Sequence, residues 1–211
     1  MNVSVYTFER GVAVRLAYGK GMKKTMVEKN ESELLADCFH CLVEIGLEKA
    51  TTRSFYKATG LGVSSFYWRF SGKNEVILEA TYQGLRDITA ELFHVAVQNL
   101  NSLEQLFDRF FETADRYVKD IRLIYQVASS PTYGDALREK AKELDNYYRE
   151  ITVLIAKELN RSADALFPYV TLFIAAIREY VVWEDESITK NNIRRIYEDA
   201  MALPIVDTDC T

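Results

Sequence analysis

The chain has few of the residues that punctuate structure: 211 residues hold three prolines and nine glycines. That scarcity argues against many short strands joined by tight turns and favours a few long elements. Cysteine is scarce as well. Cys38, Cys41 and Cys210 are an odd count, which in a chain of this size does not read as a disulfide framework. Cys38 and Cys41 flank His40, but the chain has only two histidines, His40 and His94. A metal centre needs more ligands, so the cysteines read as small apolar side chains on a helix face. No unbroken run of about 18 apolar residues appears, which argues against a membrane-spanning helix. The N-terminus lacks an apolar leader segment with a cleavage signature, so a reducing cytoplasm is expected.

The remaining composition is that of an ordinary globular protein, 48% hydrophobic and 27% charged. The length suits one large domain or two small ones and can bury a core unaided. A net charge of −5 and a pI near 5.2 argue against a nucleic-acid binder when the chain is averaged. Division at residue 75 alters that picture. Residues 1–75 hold 11 Lys and Arg against 8 Asp and Glu, a net of +3. Residues 76–211 hold 15 against 23, a net of −8.

Residues 1–27 show no helical stripe and are expected to form a mobile N-terminal arm, with Met22 a second candidate start. From Glu31, Leu34, Leu35, Cys38, Cys41, Leu42 and Ile45 recur at helical spacing until Gly46. Thr51 and Thr52 open a short segment to Thr59. Gly60, Leu61 and Gly62 break it. A second short segment, 63–70, precedes Ser71-Gly72, and a long helix is expected over 73–100. Two short helices about one glycine-rich turn apart, after a longer one, make a helix-turn-helix arrangement. Further helices are expected over 101–118, 120–128, 131–159, 162–186 and 188–202, for about nine in all and no strand. Pro168 either kinks the helix of 162–186 or marks its true start.

In the second short helix Phe66 and Phe70 can hold the inner face, leaving Ser64, Ser65, Tyr67, Trp68 and Arg69 outward. Hydroxyls and a basic group so placed can reach phosphates and base edges. Periodicity alone reads equally well as a solvent-facing helix with surplus aromatic residues.

The wider pattern is more specific. Gly46 ends one helix, Thr51-Thr52 open the next, and Thr59-Gly60 close it. Ser64-Ser65, Phe66, Tyr67, the variable pair Trp68-Arg69, Phe70 and Lys73 follow without a gap. This segment of about 45 residues resembles the DNA-binding domain of the TetR/AcrR family of bacterial transcription regulators. The resemblance implies an all-α fold. Residues 28–75 would be a three-helix DNA-binding domain, and residues 76–211 a larger domain for effector binding and dimerisation. It implies that Thr52, Ser65, Tyr67 and Lys73 contact DNA phosphates, that Arg53 reads a base, and that Val63, Ser64, Trp68 and Arg69 face the major groove. Two positions depart from the pattern. Gly62 stands where a serine often caps the recognition helix, and Tyr56 replaces a usual alanine on the core face of the helix before it.

The resemblance further implies a homodimer on a palindromic operator, with the last two helices pairing across subunits. Val170, Phe173, Ile174, Ile177, Val181, Ile193, Ile196 and Tyr197 are the expected interface, although ordinary intra-chain core reads the same stripe. An apolar or aromatic effector is expected from the tyrosine and phenylalanine content of the larger domain. His94, Phe111, Tyr125, Tyr147, Tyr148 and Phe173 are the candidate pocket residues. The expected action is repression, relieved by the effector, with no cofactor and no metal. An enzyme is disfavoured, since Gly-x-Ser-x-Gly, P-loop and dinucleotide fingerprints are all missing. Glu91-x-x-His94 is one half of a di-iron pattern that needs two copies. The alternatives are a helical-bundle metalloenzyme and a TetR-like adaptor that binds another protein in place of a small molecule.

Overall fold

The computed structural model describes residues 29–206. The expected arm and Cys210 lie outside those residues. Ten helices and no strand occur among the described residues: α1 (Glu31–Ile45), α2 (Thr52–Thr59), α3 (Val63–Arg69), α4 (Lys73–Gln98), α5 (Leu103–Arg116), α6 (Val118–Ala128), α7 (Gly134–Ala141), α8 (Leu144–Leu159), α9 (Ala163–Trp183) and α10 (Glu186–Met201).

The helix ends follow local chemistry. Asn30 accepts from the Glu33 N–H at 2.9 Å, and the Glu33 carboxylate accepts from the Asn30 N–H at 2.8 Å. This reciprocal cap satisfies two donors that the first turn would leave bare. Gly46, at φ +81°, ends α1 with its N–H on Leu42 O. Leu34, Leu35, Cys38, Phe39 and Leu42 form the buried face of α1, and Phe39 lies against α4. A side chain at Gly84 would bring its Cβ within 2.5 Å of the Phe39 ring, so the missing side chain sets how closely the two helices approach.

α4 also packs against α5, α6, α7 and α8, and α1 touches α6. One cluster of buried side chains therefore runs from Leu34 through Val76 and Ile124 to Val181. A smaller cluster of Phe93, Ile155, Leu166 and Val170 lies where α4, α8 and α9 meet.

The structure differs from the expected layout in two places. The helix expected over 131–159 is divided into α7 and α8. Lys142 and Glu143 keep φ −60° and ψ −25°, and their N–H groups bond three residues back, to Glu139 O and Lys140 O. That is a local tightening to 3₁₀ geometry, which no proline or glycine announces. Within α9, Pro168 is an interior residue: Ser162 caps the helix at Ala165 N, and the chain stays helical through the proline. α9 is also long and apolar enough to cross a membrane by length and composition, with a mean hydropathy of 1.5. The stretch is not an unbroken apolar run, since Asp164, Arg178 and Glu179 lie within it. Its inner face packs against α6, α8 and α10.

Candidate nucleic-acid interface and ligand cavity

The first site is built on α2 and α3. Thr51 is the N-cap of α2: its hydroxyl accepts from Ser54 N–H at 3.1 Å, while Ser54 Oγ accepts from Thr51 N–H at 3.0 Å. Thr52 is thus the first helical residue, half-buried beside exposed Arg53. Gly60, at φ +73°, takes the left-handed conformation that turns the chain towards α3. Gly62 opens α3 with no side-chain cap, as its lack of a hydroxyl dictates.

Phe55, Phe66 and Phe70 anchor the pair from within, with Phe66 at 0% exposure. Tyr56 meets Phe66 edge-on at 6.3 Å between ring centroids, which is how the larger residue is accommodated on this face. With Phe66 and Phe70 turned inward, Val63, Ser64, Ser65, Tyr67 and Trp68 are exposed, Trp68 to 82%. Arg69 is half-buried, its guanidinium 5.8 Å from the Trp68 ring. Lys73 is half-buried at the first position of α4.

The charge of this region is more local than a split at residue 75 suggests. Residues 29–75 hold six basic and six acidic side chains, so the +3 excess comes from residues 1–28. The acids, however, lie on α1, at Glu48 and at Glu75. Residues 49–74 contain Lys49, Arg53, Lys57, Arg69 and Lys73 and no acid, a local net of +5. Lys57, exposed one turn after Arg53, belongs to this surface and was missed by the sequence pattern, where it fills a variable position. A locally cationic segment with exposed hydroxyls is suited to phosphate oxygens.

The second site is a cavity of about 450 Å³ between α4, α6, α7, α8 and α9. Its walls include Ile88, Leu92, Ile121, Ile124 and Leu137. Of the expected pocket residues, Tyr125, Tyr148 and Phe173 line it. The other three do not. His94 is exposed and hydrogen-bonds Gln98 at 2.9 Å, because it falls on the outer face of α4. Phe111 is buried against Tyr180 at 4.9 Å between ring centroids. Tyr147 packs beside Phe93 outside the cavity wall. Thr89, Asp145, Arg138 and Arg178 line the cavity and were not singled out by sequence, since nothing in helical spacing distinguishes them from surface polar residues. Burial pushes the Tyr125 hydroxyl up to about 12 and raises that of Tyr148, so both remain protonated donors at neutral pH.

The expected dimer stripe is largely used within one chain. Val170, Ile177, Val181 and Ile193 are buried there, while Phe173, Ile174 and Ile177 line the cavity. Ile196 and Tyr197 are half-buried, and the Tyr197 hydroxyl donates to Leu100 O at 2.8 Å. The apolar side chains that stand outward are different ones: Leu172, Val182 and Trp183 on α9, Val153 and Leu154 on α8, and Ile188 on α10. An apolar stripe in sequence marks buried residues without saying what buries them.

The Glu91-x-x-His94 pattern is divided by its surroundings. Glu91 pairs with Arg116 at 3.0 Å and accepts from the Tyr117 hydroxyl, while His94 points away. No group of three metal-ligating side chains occurs among the described residues. Cys38 is buried, and burial pushes its thiol up to about 12, which leaves it unreactive at neutral pH.

No protein-family model matches the chain, and no curated protein matches its sequence. A solved structure from Shewanella sp. PV-4, provisionally assigned as a tetR family transcription regulator, is similar at 13% identity with a TM-score of 0.48, covering 81% of this chain and 98% of that one.

Proposed function

We propose that the protein is a TetR-like DNA-binding transcription regulator, a cytoplasmic homodimer that represses from a palindromic operator until a small, largely apolar molecule fills the cavity. The observation that carries this reading is the course of α4. Its first residue, Lys73, belongs to the cationic α2–α3 face, and Leu85, Ile88, Thr89, Leu92 and Phe93 further along it line the cavity. One rigid element therefore belongs to both sites.

In this reading α3 enters the major groove. Thr52, Ser65, Tyr67 and Lys73 bond phosphates, which fix register. Arg53 reaches a base edge through its two-pronged guanidinium, and Val63, Ser64, Trp68 and Arg69 face the groove. Two heads related by a dyad read half-sites about 34–36 Å apart. The dimer contact is assigned to the outward side chains Val153, Leu154, Leu172 and Val182 together with the half-buried Phe173, Ile174, Ile196 and Tyr197 of the expected stripe. Ligand entry tilts α4 and moves the heads out of register. A switch from mostly bound to mostly free needs about 10⁴-fold preference between states, about 5.5 kcal/mol.

Selection of bound duplexes from a random pool tests the reading. A palindromic consensus that is lost with Arg53→Ala is the expected result. Recovery of no consensus would overturn it.

A further inference from the structure

The cavity is apolar inside and charged on one part of its rim. Arg138 is already committed: it donates to Asp135 at 2.5 Å and to Ala128 O at 2.6 Å. Arg178 has no hydrogen-bond or ion-pair partner among the described residues, and it is exposed at the rim. Its charge acts on two tyrosine hydroxyls that also line the cavity, Tyr125 and Tyr148. Thr89 lines the cavity beside Tyr148, and the Tyr125 hydroxyl has no hydrogen-bond partner among the described residues. Tyr125 is half-buried and Arg178 exposed, so a donor and a cation both stand open at the same side of the cavity and are available to an acceptor on a ligand.

We propose that the cavity takes a lipophilic monocarboxylate, its carboxylate held by Arg178 and the Tyr125 hydroxyl and its apolar body lying among Ile88, Leu92, Ile121 and Ile124. The proposal rests on the reading of this cavity as the effector site. Arg178 presents the fork geometry that carboxylates match, and Tyr125 adds a donor from the buried side. Asp145 also lines the cavity, and its negative charge disfavours a phosphate dianion more than a monoanion. A cavity of about 450 Å³ falls within the range usual for small-molecule sites.

Calorimetric titration of the full chain with decanoate, decanol, decylamine and decyl phosphate tests the assignment. Decanoate binds at least about tenfold more tightly than the other three if a charge-assisted pair forms. Arg178→Gln removes that advantage and leaves decanol binding unchanged, Arg178→Lys retains part of it, and Tyr125→Phe weakens decanoate several-fold. Circular dichroism checks that each variant is folded. Equal affinity for decanol and decanoate, a preference for decylamine or decyl phosphate, an Arg178→Gln variant that binds decanoate normally, or no binding at all would each overturn the assignment. Selection of DNA by ligand-free protein separates the two claims. A DNA consensus without carboxylate preference removes only the ligand class, whereas carboxylate binding without any DNA consensus removes the regulator.

Discussion

The α2–α3 head and the α5–α10 body treat polar groups in opposite ways. In the head, three phenylalanines carry the interior, and the hydroxyls and cations around them are left facing water. In the body, many polar groups are committed to one another, with Arg178 and the Tyr125 hydroxyl as exceptions at the cavity. Tyr180 donates to Asp115, and Arg122 pairs with Glu184. On the long helix between them, Tyr82 donates to Glu143 at 2.8 Å and Glu79 pairs with Lys140 at 2.7 Å. Donors left open can be taken up by a partner, whereas donors closed on one another hold a scaffold together. An average over the whole chain cancels these two habits and so misreads both.

The most disruptive way to break this comparison is to remove the anchor of the head. Phe66→Ala takes away a fully buried ring, and it is expected to cost about 3–5 kcal/mol of stability in denaturant unfolding. DNA binding falls with it. A cost below about 1 kcal/mol would mean that α3 is not held by its inner face.

Next are the open side chains themselves. Arg53→Ala is expected to weaken cognate binding by about 1–3 kcal/mol and to relax one base position, while Lys73→Ala weakens all sequences alike and lowers the salt slope by about 1. These are read by titration at several salt concentrations. Equal loss on cognate and random DNA for Arg53→Ala would remove its base-reading role.

The joint between the two regions gives a smaller effect. Gly84→Ala brings a Cβ to 2.5 Å from the Phe39 ring, so overpacking outweighs the better helix propensity of alanine, for a net loss of about 1–2 kcal/mol. Thermal unfolding measures it, and a stabilised variant would show that α1 has room to shift. The smallest effect belongs to Gly62→Ser. It supplies the cap that α3 lacks and is expected to add a few tenths of a kcal/mol, seen as slower amide exchange over residues 64–68.

Much of the head is legible in sequence because its signals are local. Gly46 and Gly60 stop helices, Thr51 caps one, and Phe66 and Phe70 stand one turn apart, each decided by nearest neighbours. The body is legible only as a succession of helices. The division between α7 and α8 comes from a tightening of hydrogen bonds that no residue type enforces. α9 is apolar on nearly every side, so its pattern could not say that Ile174 and Ile177 would line a cavity while Leu172 and Val182 faced outward. Arg178 looked like any surface cation until the fold brought it beside Tyr125.

The chain has two tryptophans, Trp68 on α3 and Trp183 at the end of α9, exposed to 82% and 74%. Trp68→Phe and Trp183→Phe variants each leave one reporter, in the head or in the body. Titration with a mixed-sequence duplex at low salt is predicted to shift and quench the emission of Trp68, reversibly with added salt, and to leave that of Trp183 unchanged. A response from Trp183 alone, or none from Trp68 at protein and DNA concentrations where binding is seen by another method, would contradict the assignment of α2–α3 as the DNA-reading surface.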